Sequence, residues 1–304
     1  MKTILRWSSV LRQQFGERVQ KVTLDIGAGC PNRDGLTSGG CIFCDERGGG
    51  DGSFLKGVPL KEQIARGVRG AQKHYKTRSV ILYFQSYSAT NLPLERFCTA
   101  LEEALKCAQD LGARVCGIAV GTRPDLLPQS VLDYLDHCSK QYQVWFELGV
   151  QTIDEQGLAW LNRRHGLDAV EDAVKRLAQT RLRVCAHLIS GLPNEDDEQL
   201  KRSALWLVSH GFHALKFHPL HVLKGTVLEK YYEAGQFVPL TKEQYLNRLI
   251  LALAALPENV IIQRLCAGAR PPRLVAPSWV LDKESFEREA DEQLAAYWRN
   301  NARW

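Results

Sequence analysis

Six short apolar runs alternate with amphipathic helical stretches along the first two thirds of the chain, and few folds accommodate that alternation. Residues 22–27, 79–85, 115–120, 144–150, 182–189 and 214–217 read as strands. Between them, Leu60, Ile64, Val68 and Ala71 fall on one helical stripe. A helix opened by Pro93 turns Leu94, Phe97, Leu101, Leu105 and Ala108 inward, and helical patterns cover 130–138, 155–162, 168–179 and 195–210. Alternation of this kind implies parallel strands joined by right-handed crossovers. Six units make a partial (βα)6 TIM-type barrel of the α/β class, with its site at the C-terminal ends of the strands. Residues 1–220, with an N-terminal helix, are expected to form the barrel, and 221–304 an α-rich C-terminal extension packed on it for substrate binding or closure. In that extension Leu246, Leu249, Ile250, Leu253 and Leu256 mark a helix expected to close the barrel's lateral gap. Residues 260–265 read as a short strand and 283–300 as a charged helix.

The first strand runs directly into a loop carrying Cys30, Cys41 and Cys44. A closed structural zinc site takes four protein ligands, and the nearest histidine, His74, lies thirty residues on in a different element. A [4Fe–4S] cluster held by three cysteines leaves one iron open for chemistry. Two plainer readings stand beside it, a partial zinc knuckle and three buried thiols. Cys98, Cys107, Cys116, Cys138, Cys185 and Cys266 are scattered without a Cys-x2-Cys pair and read as structural thiols.

Composition sets wide bounds. An apolar content of 45% over 304 residues supplies a large core. Nine cysteines without a signal peptide do not suggest a secreted disulfide framework, and no run approaches the length of a membrane span. The expectation is a cytoplasmic protein with reduced thiols and no membrane partner. A net charge of +5 tolerates an RNA partner without demanding one. Gly48, Gly49 and Gly50 lack the Lys-Ser/Thr pair of a phosphate cradle and read as a flexible loop. Glu147 sits in an apolar strand, where an unpaired carboxylate is costly; it is expected to pair with Arg123 or to face a cofactor. His218 and His221 straddle Pro219, and metal ligation, a substrate-facing loop and a plain structural loop stay open for them.

The residues after each strand carry a resemblance. With the cysteine loop go Tyr-Phe-Gln-Ser-Tyr (83–87), Gly-Thr-Arg-Pro-Asp (121–125), Glu-Leu-Gly-Val-Gln-Thr (147–152) and Arg-Arg-His-Gly (163–166). His-Leu-Ile-Ser-Gly-Leu-Pro (187–193) and Lys-Phe-His-Pro-Leu-His (216–221) complete the set. In this order they resemble the Elp3-like radical S-adenosylmethionine (radical SAM) enzymes, most closely the YhcC/YtqA-type group, from about residue 5 to residue 282. The resemblance implies that Cys30, Cys41 and Cys44 hold a [4Fe–4S] cluster, with Phe43 in the aromatic position before the last cysteine. It implies that the open iron is chelated by S-adenosylmethionine. Where the superfamily usually has a Gly-Gly-Glu-like turn for the methionine amino group, this chain has Gln85, Ser86 and Tyr87, whose carbonyls and the Gln85 amide must supply the acceptors. Thr122 and Arg123 are expected at the ribose or carboxylate, Glu147 and Gln151 beside the cofactor, and Gly191, Leu192 and Pro193 at the adenine edge.

The mechanism that the resemblance implies begins with an electron from an external one-electron donor of flavodoxin or ferredoxin type. Cleavage of S-adenosylmethionine then gives methionine and a 5′-deoxyadenosyl radical, which abstracts hydrogen from the substrate. Candidate catalytic residues are Glu147, His187, His218 and His221. The resemblance points to transfer RNA as substrate, with 5-carboxymethylaminomethyluridine at the wobble position converted to 5-aminomethyluridine; hydrogen abstraction from the glycine-like CH2 would start it. No acetyltransferase domain follows the barrel, so full Elp3 chemistry is not expected. A small metabolite is the alternative substrate, and a non-catalytic zinc or RNA-binding module the remote one. Arg264, Arg270 and Arg273, with Arg6, Arg12, Arg18 and Lys21, are the candidates for a phosphate-binding surface or, equally, a solvated face.

Overall fold

In the computed structural model, which describes residues 3–33 and 39–301, a single curled sheet of eight parallel strands carries helices on its outer face. Residues 34–38 of the cysteine loop lie outside the described residues. Strand β1 (Leu5–Arg6) leads straight into α1 (Trp7–Phe15), and β2 (Gln20–Leu24) runs into the cysteine loop. Then follow α2 (Leu60–Tyr75), β3 (Ser79–Phe84), α3 (Leu94–Asp110), β4 (Arg114–Thr122), α4 (Gln129–Cys138) and β5 (Gln143–Gln151). Two helices, α5 (Glu155–Trp160) and α6 (Leu167–Leu177), precede β6 (Arg183–Ser190), α7 (Gln199–Ser209) and β7 (Ala214–Pro219). The rest comprises β8 (Val222–Leu223), α8 (Val227–Glu233), α9 (Lys242–Ala255), β9 (Ile261–Arg264), β10 (Leu274–Ala276) and α10 (Lys283–Asn301).

Local sequence sets the helix starts. Pro59, Pro93 and Pro128 stand immediately before α2, α3 and α4, where a missing N–H costs nothing. Asp154 caps α5 by accepting from Gln156 N and Gly157 N, and Thr241 forms a capping box with Gln244 at α9. The helix expected from residue 195 begins later, at Gln199, because Glu195 is spent on the preceding turn. Its Oε2 accepts from Gly191 N (2.7 Å) and Leu192 N (3.1 Å).

The six expected strands are β2 to β7, adjacent in the sheet and in sequence order. The edge beyond β7 is not what the sequence pattern suggests. There β9 pairs in parallel with β7, and β1 with β9, so strands extend the sheet toward the gap. Helix α9, expected to fill that gap, packs instead against α7 and α10. The remaining short elements β8, β10 and α8 were not legible; two- and three-residue strands carry too few positions to show a period of two.

Residues of one parity along each strand face the helices, and the others face the lumen. Val80, Leu82, Phe84, Ile118, Val120, Phe146, Leu148, Leu188 and Phe217 form the main core under the helices. On the lumen side, Ile81, Ala119, Trp145, Cys185, Ala214 and Ile261 make an apolar floor plugged by Trp7 and Leu11 of α1. Trp7 meets Trp145 edge to face at 6.0 Å. Two residues further along the same strands the lumen turns polar, with Tyr83, Glu147, His187, Lys216 and Gln263. Apolar strand starts and polar strand ends thus place a floor below and a site above.

Candidate active site

Above the floor lies a cavity of about 400 Å³. At its base Glu147, whose side chain has no exposed surface, binds Lys21 through Oε1 and Lys216 through Oε2. His187 Nε2 lies 3.2 Å from Oε2. Lys21 also donates to Gln263 Oε1 at 3.3 Å, joining β2 to β9 across the lumen, and sits 4.2 Å above the Tyr83 ring. Burial opposes charge on Glu147, but Lys21 and Lys216 outweigh it and hold the carboxyl well below the usual range. Burial lowers Lys216, with Glu147 opposing. Burial, then Lys216, takes His187 down to about 4, so its imidazole is neutral at pH 7. Arg123 is not the partner of Glu147. It is held by Asp125, two residues on in the same loop, through Nε (2.9 Å) and Nη2 (2.8 Å). Its Nη1 is buried without a partner.

Phe43, Gln85, Tyr87, Thr122, Arg123, Glu147 and Gln151 are brought together around the cavity with all three loop cysteines. Gln85 Nε2 donates to Gly49 O at 2.7 Å, leaving its carbonyl oxygen to accept. Thr122 Oγ1 lies 2.6 Å from Thr90 Oγ1, which itself donates to Leu126 O. Ser86 Oγ is buried and unpartnered but does not line the cavity. Tyr87 (φ 54) and Gln151 (φ 77) hold left-handed backbone at strand ends, strain of the kind that collects at functional sites. The glycines after the cysteines are a bed for Tyr87 rather than a loose loop: a Cβ at Gly48 would run into the Tyr87 ring, and Gly48 O accepts from Tyr87 N at 2.9 Å.

The thiols share one electrostatic neighbourhood. Burial and then the charge of Cys41 push Cys44 up to about 12, so a bound cation is needed to hold it as a thiolate. The three thiols line one cavity, and that donor set fits a [4Fe–4S] cluster with one iron left open. Cys41 Sγ accepts from Arg163 Nη1 at 3.2 Å and Asn32 Nδ2 at 3.4 Å, and Arg163 Nη2 ties to Gly149 O at 2.5 Å.

Other expectations need correction. Gly191, Leu192 and Pro193 do not line the cavity. Gly191 (φ 107) serves its turn, where a Cβ would meet Leu240 at 3.1 Å. His218 and His221 both reach the cavity; His218 stacks on His187 at 5.3 Å, and His221 Nδ1 lies 3.0 Å from Pro219 O. The basic residues do not share one outer face. Arg264 and Arg273 turn into the cavity, whereas Arg270 is exposed outside it. Arg273 grips Asp45 through Nε (2.9 Å) and Nη2, latching the C-terminal loop onto the cysteine loop. Lys21 lies in the lumen, and Arg6 pairs with Asp291 at 2.7 Å.

Sequence reasoning gave no site role to Lys216, Asn32, Arg163 or Lys283, and it put Lys21 on a basic surface rather than in the lumen. Lys216 had the signal that exposed Glu147, a charge within the apolar run Ala-Leu-Lys-Phe. Asn32 and Lys283 had none.

Among the described residues no helix is long and apolar enough to cross a membrane. The sequence profile of the radical SAM superfamily matches residues 24–207, and that of the radical SAM C-terminal domain matches 212–296. YtqA of Bacillus subtilis is 34% identical over 274 residues, covering 90% of this chain and 84% of YtqA. A tRNA uridine(34) acetyltransferase of Methanocaldococcus jannaschii is 26% identical over 170 residues, 55% of this chain and 31% of that protein. The structure of archaeal Methanocaldococcus infernus Elp3, lacking its N-terminus, superposes with a TM-score of 0.68 at 19% identity, over 90% of this chain and 63% of that one. The chain therefore spans less than two thirds of the Elp3 chain whose fold it shares. With its three thiols at the C-terminal ends of a parallel half-barrel, the chain belongs to the radical SAM superfamily, enzymes that use a [4Fe–4S] cluster and S-adenosylmethionine, and within it to the family of YtqA.

Proposed function

We propose that this enzyme modifies the C5 side chain of the wobble uridine of transfer RNA, converting 5-carboxymethylaminomethyluridine to 5-aminomethyluridine. The observation that carries the reading is the make-up of one cavity: three thiols on one side, and histidine, lysine and arginine side chains from β6, β7, β9 and the start of α10 on the other. Likeness to a tRNA uridine(34) acetyltransferase supports the uridine. When bound, the cluster and S-adenosylmethionine supply one-electron chemistry that ends in removal of a hydrogen atom from the substrate.

The chain's own residues bind, orient and exclude water. Cys30, Cys41 and Cys44 hold the cluster, while Asn32 and Arg163 fix the Cys41 sulfur by N–H···S bonds. Phe43, Gln85, Tyr87, Thr122 and Gln151 take the cofactor, and Arg123 offers its unpartnered Nη1 to a carboxylate. Glu147 sets the charge of the lumen and positions His187. His187 and His218 stand as neutral imidazoles where a substrate proton can be held. The Arg273–Asp45 latch closes the roof. The barrel of residues 1–220 loads the cofactor, and residues 221–304 shape the substrate side. A flavodoxin- or ferredoxin-type protein delivers the electron, in the cytoplasm.

One observation favours a small anionic metabolite instead: Lys21, Arg264 and Arg273 point inward rather than forming a surface for RNA. Nucleoside mass spectrometry on RNA from cells lacking the gene decides. Accumulation of 5-carboxymethylaminomethyluridine at the expense of 5-aminomethyluridine supports the proposal; an unaltered profile overturns it in favour of the metabolite.

A further inference from the structure

Most cations around the cavity have a partner: Arg163 donates to Cys41 Sγ and Gly149 O, and Arg33 to Asp45 O. Arg123 has Asp125, and Arg273 has Asp45. Lys21 and Lys216 share Glu147. Arg264 and Lys283 are left over: both line the cavity, and among the described residues neither has an ion pair or a side-chain hydrogen bond.

Both sit close to each other on one side of the cavity. Arg264 ends β9, and its backbone is in register with Lys216 of β7. Lys283 opens α10 with its side chain exposed at the rim of the cavity; desolvation lowers its pKa, and the nearby charge of Arg264 lowers it further. On the same wall His218, two residues beyond Lys216, has its Nε2 buried without any partner. Two cations without an ion pair thus stand on the cavity wall, and a buried nitrogen beside them lacks its hydrogen bond. A buried polar atom without a partner is costly, and an anionic ligand would neutralise the two cations while bringing a polar partner to the nitrogen.

We propose that Arg264, Lys283 and His218 form a receptor for a carboxylate on the substrate. A guanidinium fork offers a carboxylate two parallel N–H bonds, the ammonium adds a charge, and the imidazole Nε2 supplies a further contact. The carboxymethyl group of the nucleoside named above carries such a carboxylate, so the identity of the nucleoside rests on that reading while the receptor does not. The methionine carboxylate of the cofactor is the other candidate anion, and the orphaned Nη1 of Arg123, just past the end of β4 and four strands away from β9 in the sheet, serves it instead.

The test is calorimetry on the anaerobically reconstituted enzyme with S-adenosylmethionine bound. The probes are 5-carboxymethylaminomethyluridine as the free nucleoside, its methyl ester, N-methylglycine and inorganic phosphate. Arg264→Gln and Lys283→Gln should each weaken the carboxylate nucleoside about ten- to hundredfold, to the level of the ester, whose binding should not change. Arg264→Lys should recover part of the loss, which excludes misfolding as its cause. Equal binding of nucleoside and ester by the wild type, or undiminished carboxylate binding by Arg264→Gln, would overturn the receptor. So would a parallel fall in S-adenosylmethionine affinity, which would give these cations to the cofactor. Phosphate binding tighter than N-methylglycine, and lost in the variants, would replace the carboxylate by an RNA phosphate and overturn the assignment. If neither nucleoside binds but N-methylglycine does, and Arg264→Gln abolishes it, the receptor stands and the uridine reading falls.

Discussion

Replacing Glu147 by glutamine should cost more stability than removing either lysine it serves. Taking one partner from a buried ion pair costs about 3–5 kcal/mol, because the charge left behind stays buried. Here one carboxylate answers two cations, and the Lys216 side chain is only 3% exposed. Lys21, at 18%, can lean on Gln263 and the rings of Tyr83 and Trp7. Glu147→Gln should therefore lose about 3–5 kcal/mol, most of it from stranding Lys216. Lys216→Met should lose only about 1–2 kcal/mol, since Glu147 keeps Lys21 and His187. The double variant should be more stable than Glu147→Gln alone, with a coupling of about 1–3 kcal/mol. Guanidinium unfolding of the reconstituted proteins at pH 7.5, followed anaerobically by tryptophan fluorescence, reads all three. A Glu147→Gln cost smaller than that of Lys216→Met, or a double variant no better than Glu147→Gln, would refute the charge arrangement.

Three further outcomes follow from the same wall and floor. Gln151→Ala and Thr122→Val should weaken S-adenosylmethionine binding about ten- to hundredfold without bleaching the cluster; unchanged affinity in both would remove these strand ends from the cofactor site. His187 titrates near 4 folded against 6.5 unfolded, so the unfolded chain binds the extra proton and stability falls as pH drops below 6.5. Between pH 7.5 and 5.5 this amounts to about 1.3 kcal/mol, and denaturation of His187→Gln should show that much less acid sensitivity. Trp7→Ala, emptying a site only 9% exposed against Trp145, should cost about 3–5 kcal/mol by thermal or denaturant unfolding.

How much was legible depended on whether a residue's role left a mark in its own neighbourhood. The strands β2 to β7 announced themselves because each is long enough to show an apolar run between turns. Their ends moved by up to three residues, as boundaries do where the ladder frays. β1, of two residues, is a strand only because β9 lies beside it, and no local pattern encodes that. In the site, Glu147 was found because a carboxylate in an apolar strand demands a partner, yet the partner was misassigned. Arg123 is close in the chain order of strand ends, but the curl of the sheet brings Lys21 from β2 and Lys216 from β7 across the lumen. Arg273 looked like a surface cation in a Pro-rich loop; its partner, Asp45, is more than two hundred residues away in the chain. Gly191 was read as a close approach to a ligand, and the close approach is real, but to Leu240.

The central claim is that Cys30, Cys41 and Cys44 alone hold an iron–sulfur cluster that makes this chain a radical SAM enzyme. Anaerobic reconstitution with iron and sulfide, followed by metal analysis and an assay for S-adenosylmethionine cleavage under reducing conditions, tests it directly. The wild type should be brown, hold about four irons per chain and release 5′-deoxyadenosine. Cys30→Ala, Cys41→Ala and Cys44→Ala should each lose both properties while staying folded, and Cys98→Ala, Cys107→Ala and Cys138→Ala should keep both. A colourless protein holding zinc, or a cluster that survives loss of one of the three loop cysteines but not loss of Cys98, Cys107 or Cys138, would contradict the account.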